Sequence, residues 1–123
     1  MTHTNLYGAS QLNSAKVKQT ILVDFLVRDL LITHQGHNCS YSGCNLQGAY
    51  LVGSNLVNAD FTGVNLSDSN LQDARLDGAN LTRTLVVGAN LQGANLTGAC
   101  IADWSIDRTT ELDNIICEYI YLK

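Results

Sequence analysis

Ala89-Asn90-Leu91-Gln92-Gly93-Ala94-Asn95-Leu96-Thr97-Gly98 states one five-residue phrase twice: small residue, asparagine, leucine, polar residue, glycine. Worked outward from there, the same phase runs unbroken from Cys39 to Arg108. The middle residues are Tyr41, Leu46, Leu51, Leu56, Phe61, Leu66, Leu71, Leu76, Leu81, Val86, Leu91, Leu96, Ile101 and Ile106, every one apolar or aromatic. Two residues earlier stands a mostly small residue: Cys39, Cys44, Ala49, Ser54, Ala59, Val64, Ser69, Ala74, Ala79, Thr84, Ala89, Ala94 and Ala99, then Trp104. Self-similarity at a fixed period outranks local propensity, because one such unit is too small to bury its apolar side chain alone. A period of five is neither the 3.6 of a helix nor the two of a strand. It describes a chain that turns a corner at every pentad and points each middle residue at a common axis.

The corner chemistry agrees. Most of the ten glycines fall two residues after a middle position: Gly43, Gly48, Gly53, Gly63, Gly78, Gly88, Gly93 and Gly98. That is where a type II turn needs positive φ, which glycine adopts without steric cost. Asn58 can stand there, and Asp68, Asp73 and Asp103 less readily. Arg83 and Arg108 resist positive φ, so their corners are expected in another turn type. Asparagine often precedes the middle residue (Asn45, Asn55, Asn65, Asn70, Asn80, Asn90, Asn95), where its side chain can bond nearby backbone.

These runs resemble the pentapeptide-repeat family, whose signature is Ala-(Asp/Asn)-Leu-x-x. The Trp104 to Leu122 tail, with Cys117-x-Tyr119-x-Tyr121, is similar to cyanobacterial members. The resemblance implies an all-β solenoid: a right-handed quadrilateral β-helix of four pentads per coil, with middle and small residues both inside. The family includes DNA-mimicking gyrase-protection proteins, while most of its members have no assigned activity.

Four pentads per coil stacks residues twenty apart on four walls. One holds Leu46, Leu66, Val86 and Ile106; the next Leu51, Leu71 and Leu91; the third Leu56, Leu76 and Leu96; the fourth Tyr41, Phe61, Leu81 and Ile101. Coils then lie at the ordinary strand spacing of about 4.8 Å.

Both ends of an open β-helix expose unpaired backbone. From about Ala15 to Thr33 the pentads stop, and the spacing predicts a helix that covers the first coil with Ile21, Leu22, Phe25, Leu26, Leu30 and Leu31 inward. Its other reading is a partner-binding amphipathic helix. Asp24, Arg28 and Asp29 interrupt its apolar run, which argues against a membrane span or a signal peptide. Thr4-Asn5-Leu6-Tyr7-Gly8 reads as a stray pentad before it. The expected division is therefore 1–36, N-terminal segment with its capping helix, and 37–123, the repeat, regular over 39–108 and irregular over 109–123.

At the C-terminus the next middle position would be Glu111, which the column cannot hold without compensation. A one-residue insertion near Thr109 restores the pattern, with Leu112, Cys117 and Leu122 as middle residues and Thr110, Ile115 and Ile120 in the small slot. Trp104, Ile115 and Ile120 are too large for a stacked interior, so they are expected to roof the last coil.

A chain of 123 residues has room for one domain, and its net charge of −4 argues against direct nucleic-acid binding. The expected location is cytoplasmic, where its four cysteines stay reduced. His34-x2-His37-x-Cys39-x4-Cys44 is the arrangement that could carry chemistry, since these are zinc-ligand types at close spacing. Against this, Cys39 and Cys44 fall in the small slot, where reduced cysteine is a normal filler. A Cys39–Cys44 disulfide is the other alternative. Cys100 should point outward and Cys117 inward. No serine or cysteine has a legible base and orienter, so the reading assigns no enzyme activity, catalytic residue, cofactor or metal. The function expected is a β-helical scaffold or protein-interaction module with an unknown protein partner. A DNA-mimic regulator of gyrase and a metal-binding protein are the alternatives. A monomer is expected, with end-to-end dimerisation through Tyr119 and Tyr121 as the variant.

Overall fold

Every corner from Asn38 to Asp103 has positive φ, between 54° and 76°, in the computed structural model, which describes residues 21–123. From Cys39 to Ala99 the residue that follows the corner closes the turn onto the middle residue's carbonyl, as Ala89 N–H does to Val86 O at 3.0 Å. This is the type II closure that the glycines predict. The asparagines before the middle positions hold the same corners. Each of Asn45, Asn55, Asn65, Asn70, Asn80, Asn90 and Asn95 accepts, through Oδ1, the N–H two residues on. Arg83 departs from expectation: at φ 57° it makes the same corner as its neighbours. Its N–H donates to Ala102 O at 2.8 Å and Thr84 N–H to Leu81 O at 3.1 Å. Those bonds outweigh a left-handed strain of roughly 1–2 kcal/mol.

The coils are joined by parallel bridges at one offset. Gln35 pairs with Asn55, Ser40 with Asp60, Asn45 with Asn65, and so on to Leu85 with Ser105, always twenty residues apart. Beyond that point the offset becomes twenty-one, with Asn90 on Glu111, Asn95 on Ile116 and Cys100 on Tyr121. One extra residue has entered between Ser105 and Glu111, as the break at Thr109 predicts. A turn absorbs it: Thr110 N–H donates to Asp107 O at 3.1 Å, and Asp107 Oδ1 accepts Thr109 N–H at 2.8 Å.

The middle residues from Tyr41 to Leu96 form the buried column, with Ala59, Val64, Ala74, Ala79, Ala89, Ala94 and Ala99 beside them. Tyr41 and Phe61 stack with ring centroids 5.4 Å apart. Three polar residues in the small slot satisfy their hydroxyls on the backbone: Ser69 donates to Leu66 O, Thr84 to Phe61 O and Thr110 to Val86 O, whereas the buried Ser54 hydroxyl has no partner among the described residues.

The ladder begins one pentad earlier than the repeat is legible. Gln35 already bridges Asn55 and Asn38 already makes a corner, which puts Gly36 in a middle slot. A Cβ there would lie 2.7 Å from the Tyr41 hydroxyl, 2.9 Å from Leu56 Cδ2 and 3.0 Å from Leu30 Cδ1. Neighbours thus fill the place of the missing side chain, and Leu30 comes from helix α1, residues 21–33. The expected inward face of α1 needs correction. Leu30 is fully buried and Leu26 and Val27 pack on the core, but Ile21, Leu22, Phe25 and Leu31 are exposed. Val23, Leu26, Val27 and Leu30 form the i, i+3, i+4, i+7 stripe that a helix can lay on a surface, and the four exposed residues fall outside it. The helix start near Ala15 and the stray pentad Thr4–Gly8 lie outside the described residues.

At the far end, Trp104, Leu112, Ile115 and Ile120 pack on the core as expected. Cys117 does not: it is exposed, as are Ile106 and Leu122, because no coil lies above these middle positions. Among the described residues no helix is long and apolar enough to cross a membrane.

Candidate interaction surface

The fold does not gather His34, His37, Cys39 and Cys44. His34 Nδ1 lies 3.2 Å from Val52 O, and its ring tilts against Tyr50 at 6.1 Å. His37 is exposed. Cys39 and Cys44 occupy small slots on successive walls, both as free thiols. Among the described residues no three His, Cys, Asp or Glu side chains are placed to share a metal ion. Burial pushes the Cys44 thiol above its ordinary pKa, and the charge of Asp24 on α1 adds to the effect. Burial likewise raises the Tyr41 hydroxyl well above the usual tyrosine range, helped by Cys39. Cys100 is half-buried, its sulfur 3.3 Å from Thr82 Oγ1, so its thiol is less open than expected.

The acids are spread around the column. Asp60 accepts from the hydroxyl and the N–H of Thr62, bonds that hold its carboxyl below the usual range. Asp107 is lowered in the same way by Thr109. Asp77 Oδ1 faces Arg75 Nε at 3.9 Å on a third wall.

What remains is α1 itself. At 100° per residue, Ile21, Phe25 and Ile32 project opposite the packed stripe. They are 50%, 63% and 81% exposed, with Leu22 beside them. The helix is apolar on two opposite sides, only one of which meets the core. A space of about 290 Å³ lined by Ile21, Asp24, Phe25 and Arg28 adjoins the exposed side, and one of about 440 Å³ lined by Val23, Asp24, Val27, Arg28, Cys44 and Asn45 lies on the flank where α1 meets the first coil. Both are walled by Asp24 and Arg28. Sequence reasoning put the residues of the two sides in one inward set. The signal that separates them is the complete i, i+3, i+4, i+7 series, which starts at Val23 and omits Phe25.

A family model described as pentapeptide repeats matches residues 44–83 and 69–103, with eight copies. The chain belongs to the pentapeptide-repeat family. The pentapeptide-repeat chain is similar to a pentapeptide repeat protein of Nostoc PCC 7120, at 21% identity over 77% of this chain and 94% of the other, TM-score 0.57. Rfr23 of the cyanobacterium Cyanothece 51142 is 33% identical over 68% of this chain and 59% of its own, TM-score 0.43. A pentapeptide repeat protein of the Arabidopsis thaliana thylakoid lumen is 27% identical over 67% of this chain and 61% of its own, TM-score 0.49. The chain thus spans about three fifths of the length of these last two. No curated protein matches it. The fold of the family is the right-handed quadrilateral β-helix, and the twenty-residue ladder is its expression here.

Proposed function

We propose that this chain is a non-enzymatic β-helical scaffold that acts by binding another protein. In this reading α1 closes the N-terminal end of the column while offering its outer side to a partner. One observation carries it: over its described residues α1 is apolar on two opposite sides, and an exposed apolar side rimmed by charge marks an interaction site. Residues 1–36 then carry the closing and binding element and 37–123 the column, with the first bridge at Gln35 on the seam. The four free thiols support a reducing compartment, hence the cytoplasm.

A DNA-mimic role has less support. Asp60, Asp68, Asp73, Asp77, Asp103 and Asp107 sit on different walls with Arg75, Arg83 and Arg108 among them, so no wall carries a continuous anionic stripe. The test is photo-cross-linking in cells that make the protein, with the photoreactive residue at Phe25 or, as control, at Gln92 on a column wall. The reading expects a discrete adduct from position 25 alone. Equal labelling from both positions, or none from 25, counts against it.

A further inference from the structure

The outer side of α1 fits a second copy of itself. The helix runs from Cys44 and Asn45, beside Val23 and Val27, to Gly36 two walls away, beside Leu30. It therefore crosses the end of the column, and Ile21, Phe25 and Ile32 point away from it along the axis, clear of the coils. Asp24 and Arg28 stand together on one flank of that apolar stripe. Among the described residues the ion pair present is Arg75–Asp77, and neither Asp24 nor Arg28 takes part in one. Spaces on either side, about 440 Å³ and 290 Å³, leave room around both side chains.

Two antiparallel helices related by a twofold axis bring the same flank of each face to face. Residue 24 of one copy then lies opposite residue 28 of the other, and the reverse. The single pair of charges on this flank is self-complementary under that symmetry: Asp24 meets the second copy's arginine at 28, twice over. Ile21 and Phe25, beside that flank, are covered in the same step. We propose that the chain self-associates end to end through antiparallel pairing of α1, centred between Asp24 and Arg28. An isologous interface of this kind closes at two copies and leaves nothing further to add. The thirteen described residues 21–33 make about 20 Å of helix, so their contact is smaller than a standard interface and belongs with weak associations, with a dissociation constant of about 1 μM or above.

This inference rests on the binding reading of the same face and commits it to one partner. The test is sedimentation equilibrium of the full chain across that concentration range. The mass should climb from 13.3 kDa towards twice that value. Phe25→Glu should abolish the rise without changing the melting temperature, since Phe25 is outside the column. Asp24→Arg alone and Arg28→Asp alone should each weaken association by roughly tenfold, and the two together should restore it. A chain that stays monomeric throughout, or a double reversal that fails to restore the dimer, overturns the proposal. So does a dimer that survives Phe25→Glu and is lost on Tyr119→Ala with Tyr121→Ala, which would place the contact at the other end. If the chain is monomeric but position 25 still cross-links a different protein, self-association fails and the scaffold reading stands.

Discussion

Gly48 and Gly88 hold the same corner with nearly the same φ, 73° at each, yet their surroundings differ. A Cβ built at Gly48 meets nothing within 4 Å, whereas one at Gly88 would run into Asp68 Oδ1 on the coil below. Gly48→Ala should cost only the left-handed strain, roughly 1–2 kcal/mol. Gly88→Ala should cost more by urea denaturation, and Asp68→Gly in the same chain should recover the excess. Equal losses at the two sites would show that the Asp68 carboxylate swings aside without cost. The lowered carboxyls of Asp60 and Asp107 give the pH dependence its sign. A folded-state pKa below the unfolded value of about 3.9 gives stability that is fully present above that value and lost as pH falls through the folded one. The midpoint of unfolding should therefore be flat near neutrality and drop below about pH 4, with a shallower drop in Asp60→Asn. At this scale the chain was legible wherever a side chain marked its slot. Gly36 was not, because a middle position with no side chain leaves no apolar mark, and its occupant, Leu30, belongs to another element.

The helix shows what periodicity can and cannot decide. An amphipathic reading of residues 21–33 is plain, but two apolar stripes exist and only packing against the first coil chooses between them. Leu30→Ala should destabilise by about 2–5 kcal/mol, since it empties the place beside Gly36. Phe25→Ala should leave the melting temperature within the small range of surface substitutions. If thermal denaturation ranks the two the other way round, the stripes are reversed. Removing residues 1–36 should uncover the first coil and cause aggregation, seen by size exclusion; a monodisperse truncated chain would leave α1 a binding element only. The one-residue insertion was legible for a different reason, since Glu111 in a middle slot would bury an unpaired charge. The same pattern misread Cys117, because slot identity says what faces the axis and not whether another coil lies above to cover it.

For the molecule as a whole, each coil sends one middle residue inward from each wall, and every coil depends on the next. Leu76→Lys should unfold it, because Leu76 is fully buried and the charge would have no partner in the apolar stack. Gln92→Lys, on the outer surface of the wall, should be nearly silent. Similar circular dichroism melts for both would disprove the inside–outside assignment. The constant offset of the bridges has a consequence for how such a chain can change length. From Gln35 to Leu85 each bridging residue finds its partner at the same distance along the chain. Excising 61–80, or duplicating it, therefore rejoins all four walls in phase and shifts one terminus by a single coil height. Gain or loss of one pentad is a different event: it turns one end a quarter revolution against the other. Insertions and deletions in whole coils can thus resize the shaft while its two terminal surfaces keep their mutual orientation.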